Sequence, residues 1–260
     1  MAGLGPVRCH TADYLDGRCA ITTTGVDRFT TPLYNLSEGA HYLGVAPTTF
    51  GSWAKGYVRR PKGRREVRGA AIVSTVPGQP RGSAVVPFVG LAEGLVLAAI
   101  KELGVPLQRI RPALDRLRDE FDLEHVLASR SLYTDGAEVL YDFAEQAGDT
   151  PEAHSARQLV TVRNNQRVFN EVVDGYLHRV DFAEDNYAQA IRLPCYKEAK
   201  VIADPRRNFG QPTFMRGGAR VEDALGLFRA GEPLAKVSKE FGVPVEQLED
   251  ALRVATHLAA

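Results

Sequence analysis

Apolar residues recur along this chain at the spacing of helices that bury one face, and a repeated punctuation separates them. Leu107, Ile110, Leu114, Leu117 and Phe121 step by three and four, which lines one side of a helix. Just before them, Leu103-Gly104-Val105-Pro106 divides that helix from an apolar run over Leu91 to Leu103. The same order, glycine, buried valine and then proline at or near the next helix start, occurs twice more. Leu43-Gly44-Val45-Ala46-Pro47 follows a helix capped by Asn35 or Ser37 and carrying Ala40 and Leu43 inward. It precedes a helix over Thr48 to Lys55 with Phe50 and Trp53 on one face, stopped by Gly56. Phe241-Gly242-Val243-Pro244 separates a helix bearing Leu234, Val237 and Phe241 from one bearing Val245, Leu248, Leu252 and Ala255. Three tight helix-to-helix turns predict helical packing at both ends of the chain.

The middle reads as mixed structure. Leu132-Tyr133-Thr134, Asp135-Gly136 and Ala137 to Tyr141 have the pattern of a β-hairpin with an Asp-Gly turn, a helix competing for the second arm. The acidic stretch Glu145 to Ala156, containing Gly148 and Pro151, reads as a linker. A strand at Leu159 to Val162, a helix bearing Phe169, Val172, Val173, Tyr176 and Leu177, and short strands near Val180 and Ile191 follow. The expected fold is therefore mainly α with small β elements (α+β): a polar arm over residues 1–32, a winged helix-turn-helix domain over 33–147, a linker over 148–157, and a C-terminal domain over 158–260 in which short strands precede three helices.

Charge sharpens this division. The chain carries 32 Lys and Arg against 32 Asp and Glu, yet residues 1–90 hold 11 basic against 5 acidic, residues 91–155 hold 6 against 13, and residues 156–260 hold 15 against 14. A basic end on a neutral chain points to a polyanion. The three helical units also differ in what their second helices present. Thr48, Thr49, Ser52 and Lys55 are short polar or basic, with no acid among them. The run that follows holds Lys55, Tyr57, Arg59, Arg60, Lys62, Arg64, Arg65 and Arg68 against Glu66 alone. Such a helix suits base edges in a major groove, and such a run suits phosphates. With Pro61-Lys62-Gly63-Arg64 as a turn and Ala70 to Thr75 as a strand, the run reads as a wing. By contrast, Glu246, Gln247, Glu249 and Asp250 on the last helix would repel a polyphosphate. One short recognition helix reads few base pairs, so a homodimer on a repeated double-stranded DNA site is expected.

Other chemistry is excluded by the same reading. Cys9, Cys19 and Cys195 are odd in number and scattered, His10 beside Cys9 has no second ligand pair, and no metal or cofactor is expected. His125, His154, His178 and His257 stand isolated, Asp181, Glu184 and Asp185 read as a solvated turn, and phosphate-cradling loops and nucleophile elbows are missing, so no enzyme is expected. Neither a signal-peptide core nor a membrane span is evident, which predicts a cytoplasmic protein.

The stretch Leu33-Tyr34-Asn35-Leu36-Ser37-Glu38-Gly39-Ala40-His41-Tyr42-Leu43-Gly44-Val45-Ala46-Pro47-Thr48-Thr49-Phe50-Gly51-Ser52-Trp53 resembles the helix-turn-helix of MerR-like regulators and VapB-type antitoxins. Gly39 and Gly51 depart from that pattern, Gly51 where an arginine is usual. Downstream, Asp204-Pro205, Phe209-Gly210-Gln211-Pro212 and Arg216-Gly217-Gly218-Ala219-Arg220-Val221 resemble a small antitoxin-associated family with a D-P-x(4)-G-x-P-x(4)-G-T-R-[IV] signature, Ala219 replacing its threonine. The resemblance implies an antitoxin that neutralises a PIN-like ribonuclease and regulates its own operon. A stand-alone MerR-like regulator, whose C-terminal domain dimerises or binds a ligand, is the alternative. On an extended strand from Gln211 to Arg220, the residues Gln211, Phe214, Arg216 and Arg220 are candidates for partner binding or dimerisation, though such a strand can equally pair within the fold.

Overall fold

Asn35 starts the first helix, α1 (Leu36–Tyr42), with a reciprocal cap: its side chain accepts from the N–H groups of Ser37 and Glu38, and the Glu38 carboxylate accepts from the Asn35 N–H at 2.9 Å. The computed structural model describes residues 26–60, 66–163 and 166–258. After α1, Gly44 turns the chain at φ 68° into α2 (Pro47–Lys55). An antiparallel hairpin follows, β1 (Tyr57–Arg59) with β2 (Val67–Gly69). Next come α3 (Phe88–Glu102) and α4 (Leu107–Phe121), joined at Gly104 with φ 74°.

The remaining helices and strands build outward from α3. They are α5 (Arg130–Gln146), α6 (Pro151–Arg157), the hairpin β3 (Val160–Arg163) and β4 (Gln166–Phe169), and α7 (Glu171–Leu177). A four-stranded antiparallel sheet then runs in the order β5 (Val180–Phe182), β6 (Ala188–Arg192), β7 (Val201–Ala203) and β8 (Thr213–Phe214). Three helices close the chain: α8 (Val221–Arg229), α9 (Leu234–Phe241) and α10 (Val245–Leu258), with Gly242 at φ 65° before the last. All three predicted turns carry their glycine in the left-handed region. Among the described residues no helix is long and apolar enough to cross a membrane.

Helix α3 is apolar nearly all round and buried from Phe88 to Ile100, as a helix enclosed on every side must be. It meets α7 and β6 from the C-terminal half, and the buried side chains form one cluster running from Tyr34 to Val254. Tyr34 fastens the two ends together. Its backbone bridges Val86, and its fully buried hydroxyl donates to the Gly210 carbonyl at 2.8 Å. That burial pushes the phenol well above its ordinary range.

Several expectations are corrected. Residues Leu132 to Tyr141 form no hairpin: Ser129 caps α5, which runs through Asp135-Gly136. Gly136 serves packing there, since a Cβ would lie 2.9 Å from Leu132 and 3.1 Å from Phe169. Within the expected linker, Thr150 caps α6, and Ala153 and Ala156 are completely buried. Phe169 ends β4, and α7 begins two residues later. Ala70 to Thr75 is irregular, the second strand of the hairpin being Val67–Gly69. The arm's last residues are packed: Arg28 pairs with Asp185 and donates to the Ala188 carbonyl, and Phe29 stacks edge-on against Tyr187. Thus the acidic turn at Asp181 to Asp185 is partly engaged. Residues 1–25, with Cys9, His10 and Cys19, lie outside the described residues.

Candidate nucleic-acid interface

Helix α2 divides its residues by face. Phe50 is fully buried and Trp53 nearly so, while Thr48 and Lys55 are exposed and Thr49 and Ser52 half-buried beside them. Pro47 occupies the first helical turn, where its missing N–H costs nothing. The Ser52 hydroxyl donates to the Thr49 carbonyl at 2.7 Å, so its lone pairs are what it offers outward. The packing explains Gly39: a Cβ there would lie 2.6 Å from the Phe50 ring, and one at Gly94 would lie 2.7 Å from it on α3. Phe50 is held between two glycines. That places α2 closer to α1 and α3 than an alanine at 39 permits.

The hairpin is tied to the end of α2. Gly56 turns at φ 70°, where a Cβ would stand 2.5 Å from the Gly69 carbonyl oxygen. The N–H groups of Ile72 and Val73 donate to the Trp53 carbonyl at 2.8 and 3.1 Å. Tyr57 pairs with Gly69 across the hairpin and lays its ring over it, so this candidate site residue also braces the hairpin. Glu66 receives the Nε donors of both Arg60 and Arg68, which lowers its carboxyl pKa and aligns the two guanidinium groups. Those arginine side chains remain 77% and 75% exposed, so one carboxylate offsets only half of a solvent-facing pair of charges. Arg59 lies on β1; Lys62, Arg64 and Arg65, with the Pro61 turn, fall outside the described residues.

Behind the hairpin sits a buried polar cluster that sequence reading missed. Glu93, 3% exposed in the apolar α3, accepts the Ser74 N–H at 2.7 Å and its hydroxyl at 3.1 Å, and meets His125 Nδ1 at 3.0 Å. His125 is therefore not isolated, and its pairing with Glu93 raises its pKa. Both Ser74 and Glu93 approach the same ring nitrogen, so a proton relay through the imidazole to the hydroxyl is impossible. The cluster anchors the segment returning from the hairpin. Its one signal along the chain was Glu93 itself, an acid set in the middle of the apolar run from Phe88 to Ile100.

At the other end, the predicted partner residues scatter. Phe214 is fully buried in β8 and belongs to the core. No long exposed strand runs from Gln211 to Arg220: the chain folds back, with Thr213 bridging Arg220 and the Phe214 N–H donating to Ala219. Gln211 and Arg220 face a cleft beside Tyr42 and Tyr196, Arg220 being paired with Asp223 at 2.5 Å. Arg216 is exposed in the following turn. Phe209, outside the candidate set, is 70% exposed on a left-handed turn. Cys195 is free, and burial pushes its thiol up to about 12. No cluster of three metal-ligating side chains occurs among the described residues.

A short helix, a glycine turn, a second helix with an acid-free outer face and a basic hairpin make this a helix-turn-helix DNA-binding protein, and the family described as "Putative DNA-binding HTH domain" matches residues 32–114. The chain belongs to the family of the "Putative antitoxin VapB45" of Mycobacterium tuberculosis, to which it is 47% identical over 226 residues, 86% of this chain and 94% of that protein. The "Uncharacterized protein Rv2308" of the same organism is 25% identical over 227 residues, 85% of this chain and 88% of that one. Among solved structures, the crystal structure of Rv2018 from Mycobacterium tuberculosis superposes with a TM-score of 0.75 at 45% identity, covering 86% of this chain and 99% of that one.

Proposed function

We propose that this chain is a cytoplasmic, non-enzymatic antitoxin that binds its own operator as a homodimer and neutralises a PIN-like ribonuclease. The observation that carries the DNA half is the acid-free outer face of α2 beside a hairpin with two outward arginines on one carboxylate. In this reading Thr48, Thr49, Ser52 and Lys55 meet base edges, and Tyr57, Arg59, Arg60, Lys62, Arg64, Arg65 and Arg68 hold the backbone. The toxin half rests on the 47% identical relative, whose name describes an antitoxin. Arg216, exposed at the turn after β8, is the candidate cation for an acidic nuclease surface.

One observation favours the alternative of a stand-alone, ligand-sensing regulator: the cleft between α1 and the C-terminal helices, lined by Tyr42, Tyr196 and Gln211. Its volume of about 280 Å³ falls below the roughly 300–1,000 Å³ usual for ligand sites, so the antitoxin reading is preferred.

The test is affinity for duplex DNA from upstream of the chain's own gene, measured across a salt series. Replacing Arg59, Arg60, Arg64 and Arg65 with alanine should weaken binding to all sequences alike and flatten the slope of log affinity against log salt by about 0.9 for each phosphate left without its cation. Thr49→Ala should instead change which bases are preferred. An unchanged salt slope in the arginine variant would leave the hairpin a solvated loop. Co-expression with a PIN-like ribonuclease encoded beside the gene should yield a complex that relieves toxicity; free toxin would end the antitoxin half.

A further inference from the structure

The second helical unit, α3–α4, repeats the turn of α1–α2 and so far has only a packing role. We propose that its turn is a second DNA-contacting element, and that the cleft it forms with α2 seats one sugar–phosphate strand of the duplex. This rests on the DNA-binding reading of α2 and extends it to Lys101, Gln108 and Arg109.

The cleft has a volume of about 400 Å³. One wall is the face of α2 whose Thr48, Thr49 and Ser52 are assigned to base edges; the other, Lys101 and Gln108 on either side of the Gly104 turn, is left to meet the backbone. Between them the floor is apolar, from Ile100, Val105 and Leu107 among others, and among the described residues no acidic side chain lines it. The acid next in sequence to Lys101 is turned elsewhere: Glu102 accepts the Tyr176 hydroxyl at 2.7 Å. Along α4 the first acid is Asp115, about 12 Å from the start of the helix at 1.5 Å per residue. Lys101, Gln108 and Arg109 are all exposed, and neither cation has a carboxylate partner among the described residues.

An apolar floor edged by the Lys101 cation and the Gln108 amide matches a deoxyribose flanked by phosphates, which is where protein–DNA contacts set register rather than sequence. Rigidity supports the assignment. Arg111, in the second turn of α4, donates to the Ala70 carbonyl at 2.5 Å, so α4 is tied to the base of the hairpin, which is itself tied to Trp53. Recognition helix, hairpin and α3–α4 turn thus form one body, and a strand held in the cleft fixes how deep and at what angle α2 enters the groove.

The full-length protein tests this, with duplex from upstream of its gene and a scrambled duplex of equal length, followed by fluorescence anisotropy across salt. Lys101→Ala combined with Arg109→Ala should weaken binding to both duplexes by a similar factor and reduce the salt slope by nearly two, at about 0.9 per phosphate. Lys101→Arg should keep the slope, and Gln108→Ala should lower affinity for both duplexes with the slope intact. All three sites are exposed, and unchanged thermal melting will show that the variants fold. If the wild type binds steeply with salt and only the hairpin arginines move the slope, the DNA-binding reading stands and this proposal fails. If the wild type binds neither duplex, both fall together.

Discussion

The first and last helical units, α1–α2 and α9–α10, share a turn and differ in what surrounds it. Each bends through a glycine at a φ near 65–68° and opens its second helix at proline or just after it. Around α2 the outer face is open, with hydroxyls and a lysine in solvent. Around α10 the corresponding polar residues are used by the chain itself. Asp250, only 4% exposed, accepts the N–H groups of Lys197, Glu198 and Ala199 at 2.9 Å each, and Gln247 accepts that of Lys200 at 3.4 Å. Asp250 therefore does not face outward, as the charge pattern suggested; Glu246 and Glu249 do. A helix-turn-helix backbone is a packing solution, and whether it can read DNA depends on what covers its second helix. Of the acids on α10, Asp250 acts as a ligand for a neighbouring turn, while Glu246 and Glu249 stay in solvent.

Breaking the cover on the last unit should have the largest effect. Asp250→Ala strands three N–H donors, at least one of them buried, and should destabilise the fold by roughly 3 kcal/mol or more in urea unfolding, since each unsatisfied buried group costs about 1–3 kcal/mol. Operator affinity per folded molecule should stay unchanged, because the groups Asp250 bonds, at Lys197 to Ala199, lie outside the proposed DNA surface. A loss of DNA binding in the folded fraction would mean that α10 contributes to recognition.

A smaller effect should follow from disturbing the first unit. Gly39→Ala puts a methyl against the Phe50 ring and should cost about 1–3 kcal/mol by overpacking. Phe50→Leu in the same chain should return part of it, because the smaller side chain makes room. Additive losses in that double-mutant cycle would show that Gly39 is not fitted to Phe50.

The smallest expected effect concerns pH, since the segment leaving the hairpin is held by a titrating pair, His125 with Glu93. His125 has a raised pKa in the folded state, chiefly from its bond to Glu93. Its contribution is fully present below the unfolded value of about 6.5 and is lost as pH rises through the higher folded value. Thermal stability should therefore fall modestly on that rise, and His125→Gln should flatten the profile. A wild-type curve no steeper than the variant's would remove His125 from the account.

Periodicity and turn chemistry carried much of this molecule. The three glycine turns, the amphipathic α4 and the reciprocal cap at Asn35 and Glu38 depend on residues close in sequence, and local rules reach them. The same holds for the division between acid-free α2 and acid-rich α10, and for the basic run beside α2. Local rules failed where a distant partner outweighed them. Asp135-Gly136 favours a turn in isolation, yet Phe169 packs over Gly136 and keeps α5 helical. Residues 148–157 look like a linker until Ala153 and Ala156 are seen in the core.

The candidate site divides the same way. Its composition was legible along the chain: short hydroxyls, one lysine and a cluster of arginines. Its shape was not, because Glu66 gathering Arg60 and Arg68, Glu93 holding Ser74, and the cleft bringing Lys101 to Thr48 all join side chains from separate elements. The sequence by itself determined which helices form and which of them could tolerate a polyanion, because propensity, capping and charge are properties of neighbouring residues. Only the tertiary structure decided which polar faces remain open, because burial is settled by which elements meet, and Asp250 and Phe214 meet their partners across the fold.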